Sequence, residues 1–228
     1  MTFSSQQRLI ALIVMAFIID YLPFINLPFL WSETFFHEIS HGLAALITGG
    51  SIHTITINFN GAGMCMTSGG VPIFISFSGY AGSVFWGLFI YSLADVLSHR
   101  KSRFVLMLIA AMISITLALW VRDLTTILIL IVLLMMYLLP LFKTIRINSK
   151  LFIQLVGVFV MLDAVRSPLY LLDGRDMGDG ASLAEMTYVP ELVWVIIWVV
   201  IALGCLSILW KIDNRKITKD YENELRHP

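Results

Sequence analysis

Long apolar runs alternate with short polar breaks along this chain. Residues 104–121 and 124–142 carry no charge, and neither do residues 192–210. Residues 71–94 form a fourth run. A helix needs about 20 apolar residues to cross a bilayer, so each run is long enough to span. Residues 9–31 make a fifth, interrupted by Asp20 and broken by Pro23 and Pro28. Two further apolar segments carry ionisable groups: residues 33–48 hold His37, Glu38 and His41, and residues 151–172 hold Asp163 and Arg166. The pattern predicts an all-α polytopic membrane protein of six to seven transmembrane helices. Seven follows if every segment crosses, and six if residues 9–48 form one span plus a re-entrant piece.

One stretch has a different period. Ile55, Ile57 and Phe59 alternate with Thr54, Thr56 and Asn58, Asn60-Gly61 is a hairpin signal, and Met64 and Met66 alternate on the way back. This predicts a short β-hairpin over about 51–67 at the membrane surface, after an H-E-x-x-H helix at about 33–49. Such a hairpin is either a plug joining two helices or an edge strand that accepts an extended peptide. The expected organisation is one membrane domain, 1–211, and a short tail, 212–228.

Composition narrows the class. Apolar residues make up 58% and charged residues 13%, against about 25% charged in a soluble domain. Mean hydropathy is +0.87. These values exclude a cytosolic globule and a disordered chain. The 15 basic and 15 acidic residues cancel, which leaves no basic field for nucleic acid. Cys65 and Cys205 match no metal or disulfide spacing.

Charge then orients the spans. Basic residues follow the third segment (Arg100, Lys101, Arg103), the fifth (Lys143, Arg146, Lys150) and the last (Lys211, Arg215, Lys216, Lys219). Alternating spans put all three groups on one side, cytoplasmic by the positive-inside rule. Arg122-Asp123 and the acidic stretch 173–185 fall on the other. The C-terminus is then cytoplasmic, and a seven-span count puts the N-terminus outside. No cleavage site follows the first span, which reads as retained.

The chemistry lies in Phe36-His-Glu-Ile-Ser-His41. Four residues apart on a helix, His37 and His41 share a face and can take two corners of a tetrahedral zinc site. Glu38 can then take a proton from a water on the metal. The chain has only five histidines, and ionisable groups at membrane depth are costly enough to mark function. A catalytic zinc takes three protein ligands. Asp163, at membrane depth, is the expected third, in competition with an ion pair to Arg166 three residues on. Asp173, Asp176 and Asp179 are the other candidates for that place, and Asp173 and Asp179 read more readily as loop carboxylates or a helix cap. Asp20 either orients a ligating histidine through its second ring nitrogen or pairs within the bundle. Gly79-Tyr-Ala-Gly-Ser83 reads as small residues that let helices approach closely, with a site role for Ser83 not indicated by spacing.

These pieces resemble the site-2 protease class of intramembrane zinc metalloproteases, in its small bacterial branch without a PDZ domain. The matching residues are Phe36-His-Glu-Ile-Ser-His-Gly42 with Gly49-Gly50, Gly79-Tyr-Ala-Gly-Ser83, Leu162-Asp163, and Asp179-Gly-Ala-Ser-Leu-Ala-Glu-Met-Thr187 leading to Pro190 and Trp194. The Leu-Asp-Gly letters of better-known members occur at Leu172-Asp173-Gly174, at a span end and without a nearby Asn-Pro. The resemblance implies a Zn2+-dependent endopeptidase of the bacterial cytoplasmic membrane. His37 and His41 would be ligands, a late-span aspartate would complete the site, Glu38 would be the general base, and the hairpin would present substrate as a strand. The implied partners are a membrane-protein or peptide substrate and the lipid bilayer, with no nucleic acid and no nucleotide. The competing reading is an inactive metal-binding or helix-binding membrane protein. A small transporter ranks below both, since no internal repeat is evident.

Overall fold

The computed structural model describes residues 5–97, 99–142, 147–175 and 177–226, without the side chains of 5, 99–100, 173 and 213–226. Lys143, Arg146 and Asp176 lie outside the described residues. The order is α1 (Ser5–Asp20), α2 (Leu27–Ile47), β1 (Ser51–Ile57), β2 (Gly63–Ser68), α3 (Pro72–Val96), α4 (His99–Leu119), α5 (Leu124–Leu138), α6 (Ser149–Arg166), α7 (Asp179–Thr187) and α8 (Glu191–Arg226). Short 3-10 turns follow α5 and α6. Among the described residues, five helices are long and apolar enough to cross a membrane: α3, α4, α5, α6 with its 3-10 extension, and α8 as far as Ile212. The expected all-α membrane bundle with one small hairpin is what the chain forms.

Polar contacts fix how the helices run. At one end, Arg8 Nη2 of α1 lies 3.2 Å from Asp95 Oδ1 of α3, and Lys150 Nζ of α6 donates to the Asp95 carbonyl at 2.9 Å. At the other end, Arg166 Nη1 of α6 meets Asp20 Oδ2 of α1 at 2.5 Å. Hence α1 and α6 run parallel and α3 runs against them. The start of α1 therefore shares an end with the α3–α4 connection. This corrects the N-terminus expected from a seven-span count, which falls on the opposite side from the basic loops.

The reason is α2. Its first turn packs beside the middle of α6, where Phe29 and Phe159 have ring centroids 5.2 Å apart. Its far end is tied to the start of α3 by Val71 N–H donating to Thr48 Oγ1 at 3.0 Å. So α2 begins at mid-bundle and runs outward. A helix that starts at mid-bundle matches the re-entrant piece expected within residues 9–48, while α1, at 16 residues, is not one of the five candidate spans. Residues 21–26 turn the chain back between α1 and α2, and Phe24 adopts a left-handed φ of 67° there.

The end of α2 is set by glycine. Gly49 takes φ 86°, its N–H bonds Leu46 O, and the Gly50 N–H bonds Ala45 O at 2.7 Å. This pair of bonds is the Schellman motif, which satisfies two orphan carbonyls. The chain then folds back along α2 as the antiparallel β1–β2 pair. A bulge at His53 shifts the register between Ile52 and Thr54. It lets both Ile52 and Ile55 face the core, with Ile57 beyond them. Phe59 breaks the expected alternation: it is exposed, and its carbonyl accepts the Trp31 indole N–H.

The core joins Phe35, Phe36 and Ile39 of α2 to the hairpin isoleucines and to apolar residues of α4, α5 and α6. The most extensive helix pair is α3–α6. At their crossing a β-carbon on Gly157 would lie 2.8 Å from Gly87 O and 3.0 Å from Tyr91 N. Only glycine allows that approach.

Candidate metal centre

Helix α2 carries polar side chains into the bundle by satisfying them locally. Ser32, Thr34 and Ser40 each donate to the carbonyl four residues back, at 2.8, 3.1 and 2.6 Å. That leaves Glu33, His37, Glu38 and His41 as the groups with chemistry to offer.

His37 and His41 share a face, as their spacing requires, with their Nε2 atoms 3.0 Å apart. A carboxylate arrives from far along the chain. Asp179, the first residue of α7, places Oδ2 3.1 Å from His37 Nε2 and 3.2 Å from His41 Nε2. The three atoms form a nearly equilateral triangle. For a tetrahedral zinc with N and O bonds of 2.0–2.1 Å, neighbouring ligand atoms stand about 3.3 Å apart, so the set fits. His41 Nδ1 lies 2.7 Å from the Ile75 carbonyl. Donation there puts the ring proton on Nδ1 and frees the Nε2 lone pair, as metal-ligating histidines require. Burial works against a charge on Asp179. The imidazoles of His41 and His37 outweigh it and hold the carboxyl well below the usual range.

Other elements shape the space. Gly79 of α3 faces the imidazoles: a β-carbon would come within 2.5 Å of His37 Nε2 and would clash with His41. Gly82 passes equally close over Ser40. The small-residue stripe thus brings α3 up against the two histidines. Tyr80 sets its ring edge-on to His37 at 4.5 Å and packs on Trp198 of α8. Trp198 and Leu183 of α7 are fully buried in one cluster, which anchors α7 so that Asp179 faces inward. Gly180 packs against Glu191, where a β-carbon would sit 2.5 Å from Oε1.

Glu38 is buried and points to the hairpin. A β-carbon on Gly63 of β2 would lie 2.8 Å from Glu38 Cγ. Cys65, beside it, has its thiol pushed up to about 12 by burial and by Glu38, so it stays protonated at neutral pH. The sheet has two strands, and the outer edge of β1 is occupied: Ile55 N–H donates to Trp120 O, and Ile57 N–H to Thr126 Oγ1, both at 2.9 Å. Among the described residues, no third strand covers β2, on the Glu38 side.

The structure does not bring Asp163 to the histidines. Its Oδ1 lies 3.1 Å from Arg166 Nη2, the competing ion pair. Asp20 is held by the same guanidinium and orients no histidine. Ser83 is buried, and its hydroxyl donates to Gly79 O within its own helix. Sequence reasoning passed over Glu33, one turn before His37. Its carboxyl is buried, and its Oε1 makes no hydrogen bond. The clue to Asp179 is the pairing of an aspartate with Gly180 and, one turn on, with apolar Leu183, which marks a short helix with an inward face.

Bundle, re-entrant helix and hairpin together define a membrane protein with a buried candidate metal centre. The chain belongs to the Peptidase M50B-like family, whose description matches residues 9–209. That membership implies a peptidase. No curated protein and no solved structure matches the chain.

Proposed function

We propose that the chain is an intramembrane zinc metalloendopeptidase that hydrolyses peptide bonds of membrane-embedded or membrane-proximal substrates. His37, His41 and Asp179 hold the metal, and Glu38 moves the proton. The observation that carries this reading is the meeting of three ligand atoms within 3.2 Å of one another, from two elements distant in sequence. Zinc bound there supplies Lewis acidity toward a carbonyl and toward water. Glu38, turned to the hairpin side of the histidines, takes a proton from the attacking water and returns it to the leaving amine. A transmembrane helix keeps its amides paired, so a substrate must unwind before it is cut. The uncovered edge of β2, beside Glu38, offers main-chain partners to such an extended segment.

The test is a Glu38→Gln chain beside wild type in detergent. Each is assayed for bound zinc and for cleavage of a quenched-fluorescent peptide library. The expected result is equal zinc and at least a hundredfold loss of cleavage in the variant. Undiminished cleavage would remove Glu38 from the chemistry, and absence of zinc from the wild type after metal incubation would remove the peptidase reading.

A further inference from the structure

A net charge of zero hides a strong polarity. Of the 15 Lys and Arg residues, only Arg122, Arg166 and Arg175 belong to the end of the bundle where α6 finishes and α8 begins. The other twelve belong to the start of α1, the start of α4, the α5–α6 connection with the start of α6, and α8 beyond Trp210. The acids are reversed. Among the described residues, all but Asp95, Asp213, Asp220, Glu222 and Glu224 belong to the cation-poor half. Arg166 there is already bound to Asp20 and Asp163.

The metal centre lies in that acidic half. Gly79, which touches both histidines, is seven residues from the start of α3 at Pro72, or about 10 Å along the helix. Asp95, where Arg8 and Lys150 gather, is sixteen residues the other way, or about 24 Å. The re-entrant α2 and the hairpin reach the centre from the same side. A cavity of about 550 Å³, lined by Gly178, Ala181, Ser182 and Glu185, lies on the outer face of α7, at the same end of the bundle.

Short loops rich in Lys and Arg stay in the cytoplasm. We infer that the centre opens away from the cytoplasm, and that it takes water and an extended peptide from the non-cytoplasmic face. Resting on the peptidase reading, the substrates are membrane proteins whose scissile segment lies in the outer half of the bilayer or just outside it. Segments flanked by Lys or Arg suit the acidic mouth, because opposite charge draws them in.

Thiol labelling tests this without requiring turnover. Cys65 and Cys205 are replaced by alanine in the full chain, and Ser182→Cys, exposed on α7 at the acidic end and called the mouth cysteine below, is compared with Lys101→Cys, exposed at the basic end. Tyr188→Cys, also exposed, serves if Ser182→Cys does not accumulate. In spheroplasts, a membrane-impermeant maleimide is expected to label the mouth cysteine at least tenfold more than Lys101→Cys, with both labelled after permeabilisation. Labelling of Lys101→Cys alone, of both equally, or of neither before permeabilisation would overturn the orientation. A chain that labels as expected but holds no zinc would sink the peptidase reading and leave the orientation standing.

Discussion

Asp163 and Asp179 are both carboxylates turned into the bundle, and they meet opposite fates. Asp163 rides on a long apolar helix and finds Arg166 one turn later. Asp179 begins a nine-residue helix and finds two imidazoles. A guanidinium cannot give up its proton, so Asp163 is occupied by a permanent cation and has no call on a metal. An imidazole, unlike a guanidinium, can give up its proton, so the two histidines beside Asp179 can still turn lone pairs toward a metal. The difference teaches that depth in the membrane does not identify a ligand. What sets the two carboxylates apart is a competing guanidinium within reach of one and two imidazoles within reach of the other.

The largest expected effect breaks this comparison directly. Wild-type chain purified in detergent should hold close to one zinc. Asp179→Asn should lower the content below a tenth of that, while Asp163→Asn should leave it unchanged. Inductively coupled plasma mass spectrometry reads all three. The reverse order would return the ligand role to Asp163.

A second, smaller effect sharpens the Asp163 side. Arg166→Met strands a buried carboxylate beside Asp20. Removing one partner of a buried pair costs about 3 kcal/mol, the low end of the usual range, because this arginine is partly exposed. Thermal unfolding in detergent should show it. Adding Asp163→Asn to Arg166→Met should recover part of the loss, because the stranded charge is gone. No recovery would show that the arginine acts through packing and not through the pair.

Much of this was legible before any coordinates. The apolar runs gave the spans because a bilayer demands unbroken hydrophobicity, and His37, Glu38 and His41 were legible because their chemistry is local to one helical turn. The hairpin showed through alternation and Asn60-Gly61, although its bulge at His53 did not, since Ile52 and Ile55 differ in parity. What sequence could not rank was the carboxylate that meets the two histidines. Asp179 stands in a polar connection where loop carboxylates are common, and its inward direction depends on Leu183 meeting Trp198 across three helices. Likewise, α2 has the length of a span, and only the Phe29–Phe159 contact reveals that it starts at mid-bundle.

The smallest effect asks whether the two regions are mechanically independent. Helix α6 carries Asp163, and α3 carries Gly79 over the histidines, and the two helices touch at Gly87 and Gly157. Gly157→Ala inserts a methyl group 2.8 Å from Gly87 O, so the helices must separate. Overpacking of this kind costs about 2 kcal/mol. Gly79 lies two turns from Gly87 along α3, and the histidines, Asp179 and the Ile75 carbonyl are held from α2, α7 and the start of α3 rather than from α6. The variant should therefore melt lower and keep its zinc. Zinc lost in proportion to stability would mean that α6 and the metal centre form one cooperative unit, and that Asp163 supports the site through the packing of its helix.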